Sequence, residues 1–312
     1  MRIVFTTPLL CLLLANSFHL SAQKTPSLAK RLGYPDSAKL LILHADDLGM
    51  AHAENQASFE ALISGAVNSG SVMANCPWLP EVATFARGVK EADLGLHLTL
   101  TSEWLHYKWG PVASRDQVAG LTDSLGYFYD NCDSMAAHAT LEEAERELRA
   151  QIDRAKALGI QLTHLDSHMG CLFFSKPELF DLYLRLGREY RLPVLLSRYL
   201  LERLPEAHRK AVTDKEIVLD YAYTATPEDF KGCMAAYYEK LLRALQPGVS
   251  SIQLHLAYDG AEMRGISFNH PDWGAAWRQA DFNFFTSDEC RKILNETGIQ
   301  LVTWREIGRL MK

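Results

Sequence analysis

Short apolar runs alternate along the chain with longer segments in which apolar residues recur at helical spacing. This alternation predicts a parallel α/β architecture, because each parallel strand needs a crossover, usually a helix, before the next. Seven runs are predicted as strands: Lys39–Ala45, Ser69–Ala74, Asp93–Leu100, Gln161–Leu165, Pro193–Arg198, Ser251–Ala257 and Ile299–Thr303. About seven parallel strands without an internal repeat favour a single-domain (β/α) barrel, a TIM-like variant, over residues 30–312.

Two helices and one long loop are clear from the sequence. Leu141–Leu158 is predicted as a helix, because Thr140 and Glu143 form a capping box before its apolar face. A second helix begins near Pro177. The weakly periodic stretch Trp104–Asp133 predicts a loop long enough to serve as a wall or lid over a site; a surface insertion without a role is the alternative.

The composition is that of a globular protein and excludes one broad class. The chain has 312 residues, 48% of them hydrophobic and 22% charged, and a net charge of −6. This is enough apolar material for a large core. Nucleic-acid binding is not expected, because it needs a clustered Lys/Arg face and the sequence has none.

The first 22 residues have the layout of a secretory signal peptide. Arg2 precedes the apolar stretch 8–15, and the segment ends in small residues near Ala22. The run is too short for a membrane-spanning helix of about 20 apolar residues. We therefore expect an exported protein, periplasmic or extracellular, without stable membrane insertion after cleavage. The alternative is an N-terminal anchor that stays attached.

Five cysteines remain after the predicted cleavage, an odd number without a C-x-x-C motif. This pattern is not that of a disulfide framework. We interpret the cysteines mostly as small buried apolar residues, with room for one bridge in an oxidising compartment. They are Cys76, Cys132, Cys171, Cys233 and Cys290.

Candidate chemistry lies where three predicted strands end. Asp46 and Asp47 follow the first strand, His97 lies in the third, and His164 and His168 flank the end of the fourth. Adjacent carboxylates repel each other and resist desolvation, so a pair at a strand end suggests a nearby cation. Carboxylate oxygens and imidazole nitrogens suit zinc, iron or manganese.

Each motif also has an ordinary structural explanation. An Asp-Asp pair is common in solvated turns and helix N-caps, and His97 alone is compatible with a hydrogen-bonded core histidine. His164 and His168 have the spacing of a helical zinc pair, but a strand precedes them, so a shared helix face is not expected. The coincidence of three such segments at strand ends favours a metal site.

These motifs together resemble a known family. Ala45–Gly49 (ADDLG), Gly95–Leu100 (GLHLTL) and Thr163–His168 (THLDSH), in this order, resemble the YdjC/ChbG family of carbohydrate deacetylases. The resemblance spans residues 41 to about 200, with weaker support through His255 and Trp304–Glu306. It implies a variant (β/α) barrel and metal-dependent hydrolysis of the acetamido group of N-acetylated sugars.

The resemblance also implies roles for individual residues. Asp47, His97 and His168 correspond to metal ligands, and Asp46 corresponds to the general base. Asp166 is then a hydrogen-bond partner for a ligating imidazole.

The chain departs from the family after His168. The family continues with alternating histidines, whereas this chain has 169–172 as Met-Gly-Cys-Leu. The first histidine of that motif is the one that matches a ligand, so a metal site is still expected, but the resemblance does not specify the sugar. His164 is expected to be structural.

Further residues are candidates for proton transfer and substrate binding. His255 is a candidate proton donor to the leaving amine, with a core histidine as the alternative. Arg198 is a candidate to hold a substrate hydroxyl or orient the base, with a surface salt bridge as the alternative. Sugar rings present apolar faces, so an aromatic wall is expected, although most aromatic residues are core. Candidates for the wall are Trp104 and Trp273, with Tyr107, Trp109 and Trp277.

The sequence thus predicts an exported hydrolase that uses one divalent ion, Zn, Mg, Mn, Fe or Co. Its substrate would be an N-acetylated sugar or oligosaccharide, such as a chitooligosaccharide. Two alternatives stay open: another metal hydrolase acting on a phosphoester or a different amide, and a noncatalytic carbohydrate-binding protein. A homodimer is compatible with the sequence.

Overall fold

The computed structural model describes residues 26–311, and the predicted signal peptide lies outside them. Seven strands form one parallel sheet. The strands are β1 Lys39–Leu48, β2 Ser69–Val72, β3 Leu94–Leu98, β4 Leu162–Ser167, β5 Tyr221–Thr224, β6 Gly248–Leu254 and β7 Gln300–Leu301. The sheet order is β4-β3-β2-β1-β6-β5, with β7 beside β1. The predicted α/β fold is confirmed.

Helices connect and cover the strands. They are α1 Leu28–Arg31, α2 His52–Ile63, α3 Leu79–Gly88, α4 Cys132–His138, α5 Leu141–Ala157, α6 Cys171–Phe174, α7 Pro177–Tyr190, α8 Arg198–Arg203, α9 Glu206–Ala211, α10 Pro227–Ala244, α11 Ala261–Ile266, α12 Ala275–Phe285, α13 Asp288–Thr297 and α14 Trp304–Gly308. The capping box on α5 and the proline in the first turn of α7 are as predicted. Among residues 26–311, no helix has the length and hydropathy needed to span a membrane.

One strand prediction is wrong, and one strand was missed. The stretch predicted as Pro193–Arg198 is extended but makes only isolated parallel bridges, Val194 with Leu165 and Ser197 with Leu219. These bridges connect β4 to the residues before β5, so the sheet curls into the TIM-like form. The missed strand β5 has no fully buried residue and no long apolar run. The hydrophobic pattern of the sequence therefore did not predict a strand there.

The interior of the sheet changes from apolar to polar along β1. Leu40 and Ile42 belong to a small core cluster at the start of the strand. His44 and Asp46 follow at the same two-residue period and are buried among polar partners instead. The candidate site therefore lies at the carboxyl end of the strands, as expected for a parallel barrel.

A disulfide joins Cys132, at the start of α4, to Cys171, at the start of α6. It links the long segment after β3 to the turn after β4. Cys76 and Cys290 are free and buried, as expected, whereas the free Cys233 is exposed. The single bridge agrees with the expectation that at most one would form.

Candidate metal centre and active site

The two adjacent aspartates reach one cluster of imidazoles because β1 contains a bulge. Consecutive residues of a regular strand point to opposite faces. Here the pairing of β1 with β2 shifts register between Ala45 and Leu48, and Asp47 has a φ of 67°. Asp47 Oδ1 lies 3.4 Å from His97 Nε2, and Asp46 Oδ1 lies 3.9 Å from His97 Nδ1. The strand therefore continues through the pair, instead of ending before it as predicted.

Asp47, His97 and His168 form a buried triad. Asp47 Oδ1 lies 3.4 Å from His168 Nδ1, the same distance as from His97 Nε2. One ligand atom from each residue lies within 4.8 Å of the others. All three residues are at most 5% exposed. The structure thus brings together the three residues that the sequence suggested as metal ligands.

The donor set of this triad fits a divalent cation. Asp47 Oδ1 is buried and has no hydrogen-bond partner among residues 26–311. Leaving a neutral polar group buried in this way costs about 1–3 kcal/mol, and a charged oxygen costs more. A cation between this oxygen and the two imidazole nitrogens would remove that cost. One carboxylate and two imidazoles are ligands typical of zinc and related metals.

Asp166 fixes the orientation of His97. Its Oδ1 lies 2.7 Å from His97 Nδ1, and its Oδ2 lies 3.0 Å from His44 Nε2. The other ring nitrogen of His44 meets Ser69 Oγ at 3.0 Å. Burial opposes ionisation of Asp166, but His97 and His44 outweigh it and hold its pKa below its usual range. With Nδ1 of His97 engaged, Nε2 is left to face Asp47, an arrangement common around metal-binding histidines.

Glu103 contacts the outer nitrogen of His168, just as Asp166 contacts the outer nitrogen of His97. This role of Glu103 was not predicted from the sequence. Its Oε2 lies 3.0 Å from His168 Nε2, so His168 Nδ1 faces Asp47. Burial disfavours the imidazolium, but Glu103 and Asp47 outweigh it and raise the pKa of His168 to about 10. A metal ion bound at this ring would therefore have to displace a proton from it. Glu103 lies outside every recognised motif, and only its place just after β3 could have indicated it.

Arg278 on α12 was also missed, and it holds the second oxygen of Asp47. Its Nη2 donates to Asp47 Oδ2 at 2.8 Å, Nη1 donates to Glu54, and Nε donates to the Trp273 carbonyl at 2.7 Å. The guanidinium also lies 5.6 Å from the centre of the Trp104 ring. Burial tends to raise the pKa of Asp47, but Arg278 is the main cation that lowers it. This contact leaves Oδ1 available to the triad.

Asp46 and His255 face each other beside the triad. His255 Nε2 lies 4.0 Å from Asp46 Oδ2, and its backbone N–H donates to Asp281. Asp46 Oδ1 lies 3.1 Å from His44 Nε2 and accepts a hydrogen bond from Ser71. Burial lowers the pKa of His255 to about 4, so its ring is neutral at neutral pH. The arrangement places one carboxylate and one neutral imidazole next to the Asp47, His97 and His168 triad.

The candidate substrate-binding residues are not gathered in an open wall. Trp104 is 1% exposed and packs over Arg278. Trp273 is half-buried, and its carbonyl tethers the same arginine. The side chain of Arg198 is 69% exposed and pairs with Asp220 at 3.2 Å. Among the described residues, Arg198 makes no hydrogen bond or ion pair with the triad or with Asp46, which favours the surface salt bridge.

His164 has the structural position expected of it. Its Nδ1 meets Thr163 Oγ1 at 3.0 Å, and its ring stacks on Trp304 with centroids 5.0 Å apart. Burial holds its pKa well below the ordinary value, so the ring is neutral. A Cβ at Gly95 would lie 2.3 Å from His164 Nε2, so only glycine fits next to this ring.

Comparisons with known proteins place the chain among carbohydrate-deacetylase relatives. The family model described as YdjC-like protein matches residues 40–296. A carbohydrate deacetylase of Thermus thermophilus is 36% identical over 289 residues, which cover 90% of this chain and 97% of the relative. A chitooligosaccharide deacetylase of Serratia marcescens is 26% identical, over 86% of this chain and 99% of the relative.

A solved structure shows the same fold. It is a protein of Enterococcus faecalis, provisionally described as a cellobiose-phosphate cleavage protein. Its TM-score is 0.71 at 24% identity, over 87% of this chain and 99% of that chain. The family model covers well over half of the chain, including the whole triad, and the resemblance seen in the sequence is confirmed. This protein therefore belongs to the YdjC-like family.

Proposed function

We propose that this protein is an exported, metal-dependent deacetylase that removes the N-acetyl group from an N-acetylated sugar or oligosaccharide. The observation that carries the proposal is Asp46, a second carboxylate placed beside the Asp47, His97 and His168 triad. A site that only bound sugar would not need it. Relatives named carbohydrate deacetylase and chitooligosaccharide deacetylase support the same reaction and substrate class.

In this proposal the triad holds one divalent ion, with Zn, Mg, Mn, Fe and Co as candidates. Such an ion lowers the pKa of a bound water and polarises the acetyl carbonyl. Asp166 and Glu103 engage the outer nitrogens of His97 and His168 and so fix both rings.

Asp46 and His255 divide the proton transfers. Asp46 accepts the proton of the attacking water at a free carboxylate oxygen. His255, neutral because burial lowers its pKa to about 4, takes up at Nε2 the proton that Asp46 has accepted from the water and delivers it to the departing sugar nitrogen. The 4.0 Å between Nε2 and Asp46 Oδ2 is short enough for the two groups to act on one bound acetamide.

Two observations support the export of this protein, which is part of the proposal. The N-terminal residues have the charge and hydropathy pattern of a signal peptide. The Cys132–Cys171 disulfide is typical of proteins in oxidising compartments. Mass spectrometry of the secreted protein would test this, with a mature N-terminus near residue 23 as the expected result.

Acetate release by the purified mature protein tests the reaction. The substrates are N-acetylglucosamine and short chitin oligosaccharides, and Asp46→Asn is the matched variant. We expect acetate from the wild type and at least a hundredfold less from the variant, in line with the usual effect of about 10²–10⁴ for a general base. Hydrolysis of a phosphoester without acetate release would favour the other hydrolase. Sugar binding without any turnover would favour the noncatalytic protein.

A further inference from the structure

His44 on β1 lies between two buried carboxylates. Its Nε2 is 3.0 Å from Asp166 Oδ2 and 3.1 Å from Asp46 Oδ1, and its side chain is 1% exposed. Within residues 26–311, neither carboxylate forms an ion pair with a lysine or an arginine. Two buried carboxylates that share one donor repel each other, and a cation at that donor offsets the repulsion. This position therefore favours a charged ring.

The hydrogen bonds around His44 identify the ring as an imidazolium. Its Nδ1 lies 3.0 Å from Ser69 Oγ on β2, and the Ser69 hydroxyl donates to the Asp93 carbonyl at 3.4 Å. Ser69 Oγ therefore accepts from Nδ1, while Nε2 faces carboxylates, which only accept when ionised. A neutral imidazole has one N–H, so the two contacts require a proton on each nitrogen. Burial disfavours the charged ring, but Asp166 and Asp46 outweigh it and raise the pKa of His44 to about 10.

The other titratable groups around His44 do not take over this role. Asp46 faces the ring from its own strand, and Asp166 and His164 face it from β4. His97 on β3 shares both carboxylates with it, but His97 belongs to the triad. Burial lowers the pKa of His164, so that ring is neutral and adds no charge. Among these groups, His44 is the cation outside the triad that contacts both carboxylates.

His44 also determines which oxygen of Asp46 is free. Oδ1 lies 3.1 Å from His44 Nε2 and accepts a hydrogen bond from Ser71 Oγ at 3.2 Å. Oδ2 makes no hydrogen bond within the described part of the chain and lies 4.0 Å from His255 Nε2. Two donors on Oδ1 restrict rotation of the carboxylate. Oδ2 is therefore the oxygen left to accept a proton.

We propose that His44 is a positioning residue for the reaction: as an imidazolium it holds Asp46 Oδ1 and so presents Oδ2 as the base. The same ring holds Asp166 Oδ2, while Asp166 Oδ1 orients His97. One buried cation thus fixes the base and the support of a triad imidazole together. This rests on the proposed deacetylase function and adds the residue through which the orientation of its base is set.

The charge of His44 is measurable without turnover. Nitrogen NMR of the zinc-loaded protein with isotopically labelled histidine reports the protonation of each ring nitrogen, and contacts along β1 assign the His44 signals. We expect both nitrogens of His44 to carry a proton at neutral pH. A neutral His44 ring at that pH overturns the proposal.

A double-mutant cycle on acetate release tests whether His44 acts through Asp46. In His44→Gln the charge is lost, and kcat should fall about 10–100-fold, the effect of one hydrogen bond to a charged group. KM and the content of one metal ion per chain should not change. Added to Asp46→Asn, the same substitution should cause no further fall in kcat, because the base that it positions is already absent.

His208→Gln is the matched control, since His208 is a buried histidine on α9 that makes no hydrogen bond or ion pair with the site among the described residues. It should keep the wild-type kcat. Losses of kcat that multiply in the double variant overturn the proposal, because a merely structural histidine acts independently of Asp46. Absence of acetate release from the wild type rejects the deacetylase function and this role with it, whereas release with a neutral His44 rejects the role alone.

Discussion

Asp46 and Asp47 are neighbours in sequence but meet different surroundings. The bulge in β1 turns Asp47 into the triad, where Arg278 holds one of its oxygens and the other has no partner among the described residues. Asp46 instead faces His255. The backbone therefore gives two identical side chains different surroundings, in line with the proposed division of metal binding and proton transfer between them.

Substituting each aspartate by asparagine should separate these two tasks. Asp46→Asn should keep one metal ion per chain while kcat falls about 10²–10⁴-fold. Asp47→Asn should lose tight metal binding, because it removes the charge that faces both imidazoles. Metal content after dialysis and acetate release measure the two effects. Loss of metal from Asp46→Asn, with retention by Asp47→Asn, would reverse the assignment.

Arg278 should matter far more to stability than the exposed Arg198. Arg278→Met leaves Asp47 and Glu54 buried without their cation, which typically costs about 3–5 kcal/mol. Arg198→Gln removes a pair with Asp220 in which the arginine is mostly exposed and should change the free energy of unfolding by less than about 1 kcal/mol. Denaturant unfolding measures both. Equal losses of unfolding free energy in the two variants would show that the buried contacts of Arg278 do not stabilise the fold as predicted.

The turn after β4 carries His168 and is tied down by the disulfide. His168 begins a short turn in which Met169 and Gly170 both have positive φ, at 52° and 68°. Cys171 follows and is bonded to Cys132 on α4. The disulfide thus anchors the backbone three residues after His168, a proposed metal ligand.

Removing this disulfide should weaken both the fold and the metal site. The Cys132→Ser, Cys171→Ser double variant should lose roughly 2–4 kcal/mol of unfolding free energy and bind the metal less tightly. Cys233→Ser, which changes an exposed free thiol, is the control and should behave as the wild type. Thermal unfolding and a metal-affinity titration with a competing chelator provide the measurements. Unchanged metal affinity would show that the turn holds its shape without the bridge.

Elements with strong local signals could be predicted, and those made by distant contacts could not. The capping box of α5 and the long apolar run of β1 are readable because neighbouring residues determine them. β5 is short and half-exposed, so its pairing with β6 defines it more than its own pattern does. The stretch at 193–198 is apolar but makes only two isolated bridges.

The parallel topology of the whole sheet explains why part of the site could be predicted from the sequence. Strands β1, β3 and β4 end at the same edge, so their polar residues converge. Glu54, Glu103 and Arg278 reach the centre from a helix, a loop and a distant helix, and no local motif marks them. The burial of Trp104 could not be predicted for a similar reason, since burial of a tryptophan depends on its three-dimensional neighbours.

A metal titration of the chelated mature protein, with bound metal and acetate release followed together, tests the triad most directly. We expect no acetate release without metal and a rise to full activity at one divalent ion per chain. His97→Gln, in which a triad imidazole is lost, should show neither tight binding nor recovery. Full acetate release from metal-free protein, or recovery in His97→Gln equal to the wild type, would contradict the assignment of this triad as the catalytic metal centre.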